Sequence, residues 1–290
     1  MRPVTARILD GKAVAARIRS EVSERVRALA ERGVTPGLAA VLVGDDQASR
    51  IYVGQKHKAC ADVGIRSEQV DLPAYVTEYE LMATIRRLNR DPEIHGILIQ
   101  LPLPSHLREL DVQRAIVPEK DVDGLHPLNI GMMLRQGTTF LPATPYGIVE
   151  LLLRSGIEIG GAEVTIVGVG DLVGAPLSVM LAQDSIRGNA TVTSTHINTR
   201  DLHAHTTRAD ILVAAAGVPH LVRGEMIKPG ATVIDAGVHR TPDGLVGDVL
   251  FDEAVEVAGA ITPVPGGVGP MTVAMLLVNT VAAAELQAFR

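Results

Sequence analysis

Hydrophobic and polar positions alternate with two different periods along the first 105 residues. Apolar residues spaced three and four apart predict amphipathic helices, and short apolar or alternating runs predict strands. The predicted helices cover 11–32, 49–63 and 77–89. The predicted strands cover 37–44, 68–72 and 96–104. Gly33 ends the first helix, and Thr77 and Glu80 have the spacing of a capping box. Strands that alternate with helices predict an α/β fold with a mostly parallel sheet.

The second half of the chain repeats this alternation. Its strand-like runs cover 163–169, 190–196, 211–216, 231–237 and 259–264. A helix over 146–155 links the two halves, and a last, nearly all-apolar helix is expected over about 271–288. A length of 290 residues fits one large domain or two modest ones.

Composition and charge exclude several classes of protein. The chain carries 27 Lys and Arg against 33 Asp and Glu, a net charge of −6 that argues against nucleic-acid binding. With 4 Tyr, 3 Phe and no Trp it lacks the aromatics of a stacking platform for single strands. A single Cys excludes an internal disulfide framework, and the nine His do not cluster, so no metal site is predicted.

Neither end of the chain predicts attachment to a membrane. The first residues are charged throughout and lack the apolar centre of a signal peptide. The apolar run from Val264 to Ala284 begins with several Pro and Gly, which predicts a loop followed by a buried helix. We therefore expect a soluble cytoplasmic protein with no membrane partner.

A glycine-rich turn at 168–174 follows a predicted strand and opens a helix. Gly168, Gly170 and Gly174 have the spacing G-x-G-x-x-x-G, one residue longer than the usual dinucleotide fingerprint. Such glycines let the backbone approach a pyrophosphate at a helix N-terminus. A plain tight turn is the alternative, and the further strands of this half favour the nucleotide.

The end of the next predicted strand bears on the type of cofactor. An NAD site places an acidic residue about 20 residues after the glycines, where it binds the ribose hydroxyls. Residues 195–200 contain no acid but include His196 and Arg200. This favours NADP, whose 2′-phosphate needs cationic or hydroxyl partners. Alternatively, both side chains are simply solvated at a strand end.

Two polar side chains on a predicted helix could carry acid–base chemistry. Tyr52 and Lys56 are four residues apart and share one helix face. A lysine that is desolvated in a cleft has a lowered pKa and becomes a usable acid or base. The alternative is an ordinary amphipathic helix with an exposed lysine, in which the two residues would have the same spacing.

Three segments at predicted strand ends or turns add to these candidates. Gln100 closes an apolar strand at the end where ligands of α/β sheets bind, although strand ends are often polar without function. The sequence 121–124, Asp-Val-Asp-Gly, predicts a turn. Residues 263–270 hold three Pro and three Gly, a rigid loop with an exposed backbone that suits a ligand.

Together these segments resemble the bifunctional methylenetetrahydrofolate dehydrogenase/cyclohydrolase (FolD) family over essentially the whole chain. The motifs that carry the resemblance occur in order: YVGQKHKA (52–59), GILIQLPLP (96–104), PEKDVDG (118–124), TPYG (144–147) and the loop 265–272. The resemblance implies oxidation of 5,10-methylenetetrahydrofolate with NADP⁺ and hydrolysis of the 5,10-methenyl product to 10-formyltetrahydrofolate. It places the protein in one-carbon metabolism and purine biosynthesis.

The resemblance also implies an architecture: two α/β domains with a cleft between them, the second with a Rossmann-like parallel sheet, usually in a homodimer. A folate-binding catalytic domain is expected over 1–145, with the C-terminal helix, about 271–290, packed back on it. The NADP-binding domain is expected over 146–270.

Individual roles follow from the same motifs. The implied catalytic residues are Tyr52, Lys56, Gln100 and Asp123. Lys56 is the acid or base of the hydrolysis and Gln100 hydrogen-bonds to it. Tyr52 packs on the folate and Asp123 holds the pterin ring. The implied folate site also includes Pro265 and Gly266. The implied cofactor contacts are Thr144, Gly168, Val169, Gly170 and Val238.

The chain departs from the family on the cofactor side. Where the family commonly has Gly-Arg-Ser or Gly-Ala-Ser, this chain has 168–170 as Gly-Val-Gly, and Ile197 replaces a frequent phosphate-binding Ser. Val238-His239 replaces Ile-Asn, and the helix near 184–188 is expected to be longer. The alternatives are therefore a cyclohydrolase with weak or lost dehydrogenase activity, a variant that prefers NAD, and a non-catalytic folate or nucleotide sensor.

Overall fold

A computed structural model describes residues 6–137, 140–242 and 244–288. The strands in chain order are β1 (Arg7–Ile8), β2 (Gly37–Val43), β3 (Arg66–Leu72), β4 (Gly96–Ile99), β5 (Glu163–Val167), β6 (Thr191–Thr195), β7 (Ile211–Ala214), β8 (Thr232–Asp235), β9 (His239–Thr241), β10 (Gly244–Val246) and β11 (Ala260–Ile261). The helices are α1 (Gly11–Ala30), α2 (Gln47–Val63), α3 (Glu78–Arg90), α4 (Glu109–Ala115), α5 (Pro127–Leu134), α6 (Ala143–Arg154), α7 (Gly174–Ala182), α8 (Leu202–Thr206), α9 (Phe251–Ala254) and α10 (Val268–Ala288).

The chain divides into two compact units. The three-stranded unit holds Arg17–Ala143 and the residues from Val273 onward. The six-stranded unit holds the residues up to Ala16 together with Thr144–Thr272. The division falls inside α1 and α10, so both helices contribute residues to each unit.

A parallel sheet of order β3-β2-β4 forms the centre of the three-stranded unit. All seven residues of β2 are buried, as its uninterrupted apolar run predicts. Helix α3 packs Leu81, Ile85 and Leu88 into this core, and its capping box is formed as expected. Because β4 ends at Ile99, Gln100 follows directly at the carboxyl end of a buried strand.

The six-stranded unit contains a fully parallel sheet of order β1-β11-β8-β7-β5-β6. Strand β6 lies on one side of β5, and β7 and β8 lie on the other, so the strand order reverses beside β5. Such a reversal is where open α/β sheets bind ligands, outside the carboxyl ends of the strands. The expected α/β class with a Rossmann-like parallel sheet is confirmed.

The unit boundaries differ from the expected 1–145 and 146–270 division at the N-terminus. Strand β1 pairs in parallel with β11, which draws the residues up to Ala16 into the six-stranded unit. The part of α10 that follows Thr272 belongs to the three-stranded unit, where its Asn279 and Gln287 side chains donate hydrogen bonds to backbone carbonyls.

One segment takes a form that the sequence patterns do not give. The residues near 184–188 do not extend a helix, because α7 ends at Ala182 and residues 183–189 form a loop closed by Asn189 N donating to Gln183 O at 2.7 Å. Helix α10 agrees with the predicted buried helix: its length and composition would suffice to span a membrane, but most of its apolar stretch is buried within the protein, as in a core helix.

Candidate active site and cofactor site

Lys56 and Gln100 form a direct hydrogen bond between α2 and the end of β4. Lys56 Nζ donates to Gln100 Oε1 at 3.0 Å, and Gln100 Nε2 donates to the Leu101 carbonyl at 2.8 Å. The second bond orients the amide so that its oxygen faces the lysine. Burial lowers the pKa of Lys56, and the charge of Asp123 opposes that shift. A partly buried lysine with a lowered pKa is suited to general acid–base work.

Asp121 organises the aspartate turn (residues 121–124), which also carries Asp123. The buried Asp121 carboxylate accepts hydrogen bonds from Leu125 N at 3.2 Å, His126 N at 2.8 Å and Asn129 Nδ2 at 2.7 Å. These bonds tie the turn to the start of α5. Burial raises the pKa of Asp121, and its hydrogen bonds oppose the rise.

The aspartate turn is clamped from its other side by α10. Asn279 Nδ2 donates to Val122 O at 2.8 Å and to Leu141 O at 3.0 Å. Gly124 has φ +73°, and a Cβ there would lie 2.5 Å from the Leu141 carbonyl carbon. The turn therefore requires glycine at this position, and the position of Asp123 is set by buried backbone contacts.

Lys56 and Asp123 act on each other electrostatically. Burial raises the pKa of Asp123; the Lys56 charge opposes the rise, and the Asp121 charge adds to it. The pKa of the base falls while the pKa of the acid rises, so the two move towards each other. The smaller gap between the two pKa values makes proton exchange between the two groups easier.

The neighbouring side chains of α2 have different environments. Tyr52 lies one turn before Lys56 and is 38% exposed, so its ring is available to a ligand. Cys60, one turn after Lys56, is fully buried, and burial raises its thiol pKa to about 12. The thiol is therefore held protonated, which fits a packing role rather than nucleophilic chemistry.

The glycine turn of the six-stranded unit has the backbone form that a dinucleotide needs. Gly168 follows β5 with φ +109°, and a Cβ there would lie 2.1 Å from Ala215 O. A Cβ on Gly174 would lie 1.9 Å from Gly168 O, whereas one on Gly170 would meet open space. Two glycines thus allow close packing at the start of α7, and the third leaves the turn open to a pyrophosphate.

The side chains of this turn supply no positive charge. Val169 and Leu172 are exposed, and no residue between Gly168 and Gly174 is basic. The turn fits the cofactor through its backbone and the N-terminus of α7. Charge for a phosphate has to come from elsewhere in the unit.

The segment after β6 is a compact turn. His196 N donates to Thr199 Oγ1 at 2.8 Å, and Asn198 N donates to His196 Nδ1 at 3.2 Å. With Nδ1 engaged as an acceptor, Nε2 is the ring nitrogen that remains to donate. Ile197 is 99% exposed, and it takes no part in these bonds.

The remaining predicted site residues lie in the six-stranded unit. Thr144 Oγ1 is 3.1 Å from Thr272 Oγ1. Val238 is exposed in the loop after β8, and Gly266 O accepts a hydrogen bond from Lys12 N at 3.1 Å. Tyr52, Lys56, Gln100 and Asp123 all lie in the three-stranded unit, whereas the predicted cofactor contacts and the residues Pro265 and Gly266 belong to the six-stranded unit.

Sequence patterns missed three residues that build the catalytic region. The sequence predicts only a turn at Asp121, and its three hydrogen bonds depend on where α5 begins. Asn279 acts over a separation of more than a hundred residues. Lys120 is buried and donates from Nζ to the carbonyls of Leu88 and Asp91 at the end of α3. The one available signal is Asn279, which stands in an apolar run of the sequence, whereas Lys120 lies between Glu119 and Asp121 and gives none. In the described ranges, no group of three or more His, Cys, Asp or Glu could hold a metal ion.

Two family models match the chain. The catalytic domain of tetrahydrofolate dehydrogenase/cyclohydrolase matches residues 9–123, and the NAD(P)-binding domain of the same enzyme matches residues 142–288. The chain belongs to the tetrahydrofolate dehydrogenase/cyclohydrolase family. The chain is therefore a methylenetetrahydrofolate dehydrogenase/cyclohydrolase with an NAD(P)-binding domain. The family match confirms the resemblance found in the sequence.

Individual relatives agree with this family over nearly the full length. The bifunctional protein FolD of Bordetella petrii is 56% identical over 98% of this chain and 95% of its own length. The crystal structure of the bifunctional FolD enzyme from Campylobacter jejuni is 45% identical, with a TM-score of 0.92 over 97% of this chain and 99% of its own. The Trypanosoma brucei FolD structure, complexed with NADP cofactor and inhibitor, is 42% identical, with a TM-score of 0.93 over 98% of this chain and 99% of its own.

Proposed function

We propose that this enzyme oxidises 5,10-methylenetetrahydrofolate with NADP⁺ and hydrolyses the 5,10-methenyl product to 10-formyltetrahydrofolate, with Lys56 as the acid–base group of the hydrolysis. The observation that carries the proposal is the Lys56–Gln100 hydrogen bond beside Asp123, at a lysine whose pKa burial lowers. Membership of the family is the basis for the proposed reaction, and the geometry around Lys56 is the basis for assigning the acid–base role to this residue.

The hydrolysis needs one group that takes a proton and later returns it. Neutral Lys56 removes a proton from water as the water oxygen bonds to the methenyl carbon. The carbon–N5 bond then breaks as Lys56 returns its proton to N5, while the new hydroxyl loses its proton to solvent and becomes the formyl carbonyl. Water thus provides the formyl oxygen and the N5 hydrogen, and one proton is released. A lowered lysine pKa raises the fraction of the neutral base near neutral pH.

The other residues of the three-stranded unit hold Lys56 and the substrate. Gln100, fixed by its bond to Leu101, keeps the lysine nitrogen in place. Tyr52 offers an exposed ring against which the pterin packs, and Asp123 accepts hydrogen bonds from the pterin nitrogens. Pro265 and Gly266 are the proposed folate contacts of the six-stranded unit.

NADP is the proposed cofactor, and its nicotinamide supplies the hydride acceptor for the one-carbon bridge. The NADP complex of the T. brucei relative supports this choice, as does the lack of an acid in residues 195–200. His196 and Arg200 are the proposed partners of the 2′-phosphate. The proposed contacts of the cofactor are Thr144, Gly168, Val169, Gly170 and Val238.

We further propose that the enzyme works as a cytoplasmic homodimer that supplies 10-formyltetrahydrofolate for one-carbon metabolism, including purine biosynthesis. The support is its membership of a family of folate enzymes. Light scattering of the purified protein tests the dimer: a monomer mass at micromolar concentration would contradict it.

Steady-state kinetics of both reactions test the function. Methylenetetrahydrofolate is supplied with NADP⁺ or NAD⁺, and methenyltetrahydrofolate is supplied alone. We expect oxidation with a higher kcat/KM for NADP⁺ and hydrolysis without any cofactor. Absence of oxidation with either cofactor would refute the dehydrogenase, a higher kcat/KM for NAD⁺ would refute the cofactor choice, and absence of hydrolysis would refute the cyclohydrolase.

A further inference from the structure

Two buried carboxylates lie behind the strand-end loops of the six-stranded unit. Asp235 is the last residue of β8 and is 4% exposed. Its Oδ1 accepts hydrogen bonds from Gly237 N at 3.0 Å and Asp248 N at 2.9 Å, and its Oδ2 accepts from Val249 N at 2.9 Å. Asp235 thereby joins the loop after β8 to the segment that carries Asp248.

Asp248 continues this connection to a second loop. Its side chain is fully buried, and its Oδ2 accepts from Ala216 N at 2.6 Å and from Gly217 N at 2.8 Å, both directly after β7. Its Oδ1 lies 2.7 Å from Nε2 of His239, which follows Val238 after β8. One carboxylate therefore ties the loop after β7 to the loop after β8.

Next to each of the two carboxylates lies a glycine, and there is no room for a side chain at either glycine. A Cβ on Gly237 would lie 2.2 Å from Asp248 Oδ1, and a Cβ on Gly247 would lie 1.8 Å from Asp235 Oδ2. Each acid packs directly against the backbone beside the other acid. The network consequently fixes the backbone path of both loops, not only the rotamers of their side chains.

Buried carboxylates are costly unless hydrogen bonds satisfy them, and removal of one partner leaves the charge uncompensated. Burial raises the pKa of Asp235 to about 6 against the effect of its hydrogen bonds. Asp248 relies on two backbone N–H groups and the His239 ring. The imidazole is the one side chain among these three partners, so it is the partner that a substitution can remove cleanly.

The two tied loops lie where the cofactor is proposed to bind. They follow β7 and β8 at the carboxyl edge of the parallel sheet, and each exposes a valine, Val218 or Val238. Ligands of open α/β sheets bind at that edge. Val238 is bracketed by Gly237 and His239, which are held by Asp235 and Asp248 respectively.

We propose that His239 and Asp248 are positioning residues for the dehydrogenase reaction, which set the loops 215–218 and 236–239 in the conformation that receives the nicotinamide cofactor. This inference rests on the proposed function, since it assumes that NADP binds at these loops. It predicts that the pair acts on the dehydrogenase and not on the hydrolysis, whose proposed residues Lys56, Gln100 and Asp123 lie in the other unit.

Substitution of His239 in the full-length enzyme separates these two activities. His239→Leu removes the donor to Asp248, and His239→Gln retains an Nε2 donor without an imidazole. His203→Leu is the matched control, because His203 is an exposed histidine of α8. The measurements are the Kd of NADP⁺ by calorimetry, the dehydrogenase KM and kcat, the rate of methenyltetrahydrofolate hydrolysis without cofactor, and the melting temperature.

We expect His239→Leu to raise both the Kd and the KM for NADP⁺ about tenfold, on the scale of a lost hydrogen bond to a charged group. His239→Gln should restore both to within about twofold of the parent. Hydrolysis should stay at the parent rate in both variants and in His203→Leu. Asp248→Asn, with a melting temperature equal to that of His203→Leu, should weaken NADP⁺ binding at least as much as His239→Leu.

Two outcomes would overturn the proposal. One is an NADP⁺ Kd for His239→Leu that equals that of His203→Leu. The other is a parallel fall of hydrolysis, dehydrogenation and melting temperature, which would make the pair a general structural element. A parent enzyme that neither binds nor reduces NADP⁺ would instead refute the proposed function, a result that the parent measurement reveals before any variant is compared.

Discussion

Lys56 and Asp123 shift each other's pKa in the direction opposite to the effect of burial. Burial favours the neutral form of both groups, whereas each charge favours the ionised form of the other. Burial is the larger cause in both cases. The result is a lysine that is easier to deprotonate and an acid that is easier to protonate, coupled in the proposed folate site.

Loss of the lysine should abolish hydrolysis selectively. Lys56→Met keeps the length and apolar stem of the side chain but removes the acid–base group. We expect hydrolysis of methenyltetrahydrofolate to fall about 10²–10⁴-fold, the range of general acid–base catalysis, while the folate Kd changes little. Absorbance of the methenyl form and calorimetry measure the two quantities.

Lys58→Met is the matched control for this substitution. Lys58 lies on the same helix, is exposed and pairs with Asp62 at 2.9 Å. The Lys58→Met enzyme should hydrolyse methenyltetrahydrofolate at the parent rate. Equal effects of the two substitutions, or an unchanged rate in Lys56→Met, would remove Lys56 from its role.

The pH profile of hydrolysis should shift when Asp123 loses its charge. The Asp123 carboxylate raises the pKa of Lys56, so Asp123→Asn should lower that pKa further. If neutral Lys56 is the base, as proposed, the rate rises with pH through the Lys56 pKa, and the rising limb should move to lower pH in the variant. Rates at saturating substrate from pH 5 to 10 provide the profile. A limb that stays in place or moves to higher pH would contradict the coupling.

Local patterns predicted those elements that bury a regular face. The apolar run of β2 and the capping box of α3 are fixed by residues adjacent in sequence. The sequence does not predict strand β1, because it has only two residues, both exposed, and is defined by its pairing with β11. The hairpin of β9 and β10 has three residues in each strand, too few for a period to show.

The site residues divide in the same way, into those that local patterns predict and those that only the fold brings together. The pair Tyr52 and Lys56 follows from helical spacing, and Gln100 from its place at a strand end. The burial of Asp121 and the clamp by Asn279 depend on distant segments that meet only in the fold. Sequence distinguishes Asp121 from Asp123 only by resemblance, because two acids in one turn differ physically in what surrounds them.

Burial of Asp235 should make stability fall as the pH rises. Its folded-state pKa is raised to about 6 from 3.8, so its contribution is fully present below pH 3.8 and is lost as the pH rises through about 6. The shift corresponds to up to roughly 3 kcal/mol between these limits. Asp235→Asn removes this titration, so the free-energy difference between variant and parent should change across pH 4–7 by up to that amount. Chemical denaturation at several pH values measures it, and a constant difference would refute the assignment.

Two glycines of the 168–174 turn should respond differently to alanine. Gly168→Ala places a Cβ 2.1 Å from Ala215 O at φ +109°. We therefore expect the free energy of unfolding to fall by about 1–3 kcal/mol and NADP⁺ binding to weaken. Gly170→Ala meets open space and should leave the melting temperature unchanged. If Gly170 lies against the pyrophosphate, its new methyl group should nevertheless weaken NADP⁺ binding. Calorimetry and thermal denaturation on both variants separate the two effects, and hydrolysis of methenyltetrahydrofolate reports whether the other unit is intact. An NADP⁺ affinity in Gly170→Ala equal to that of the parent would show that the cofactor does not approach the turn at this glycine.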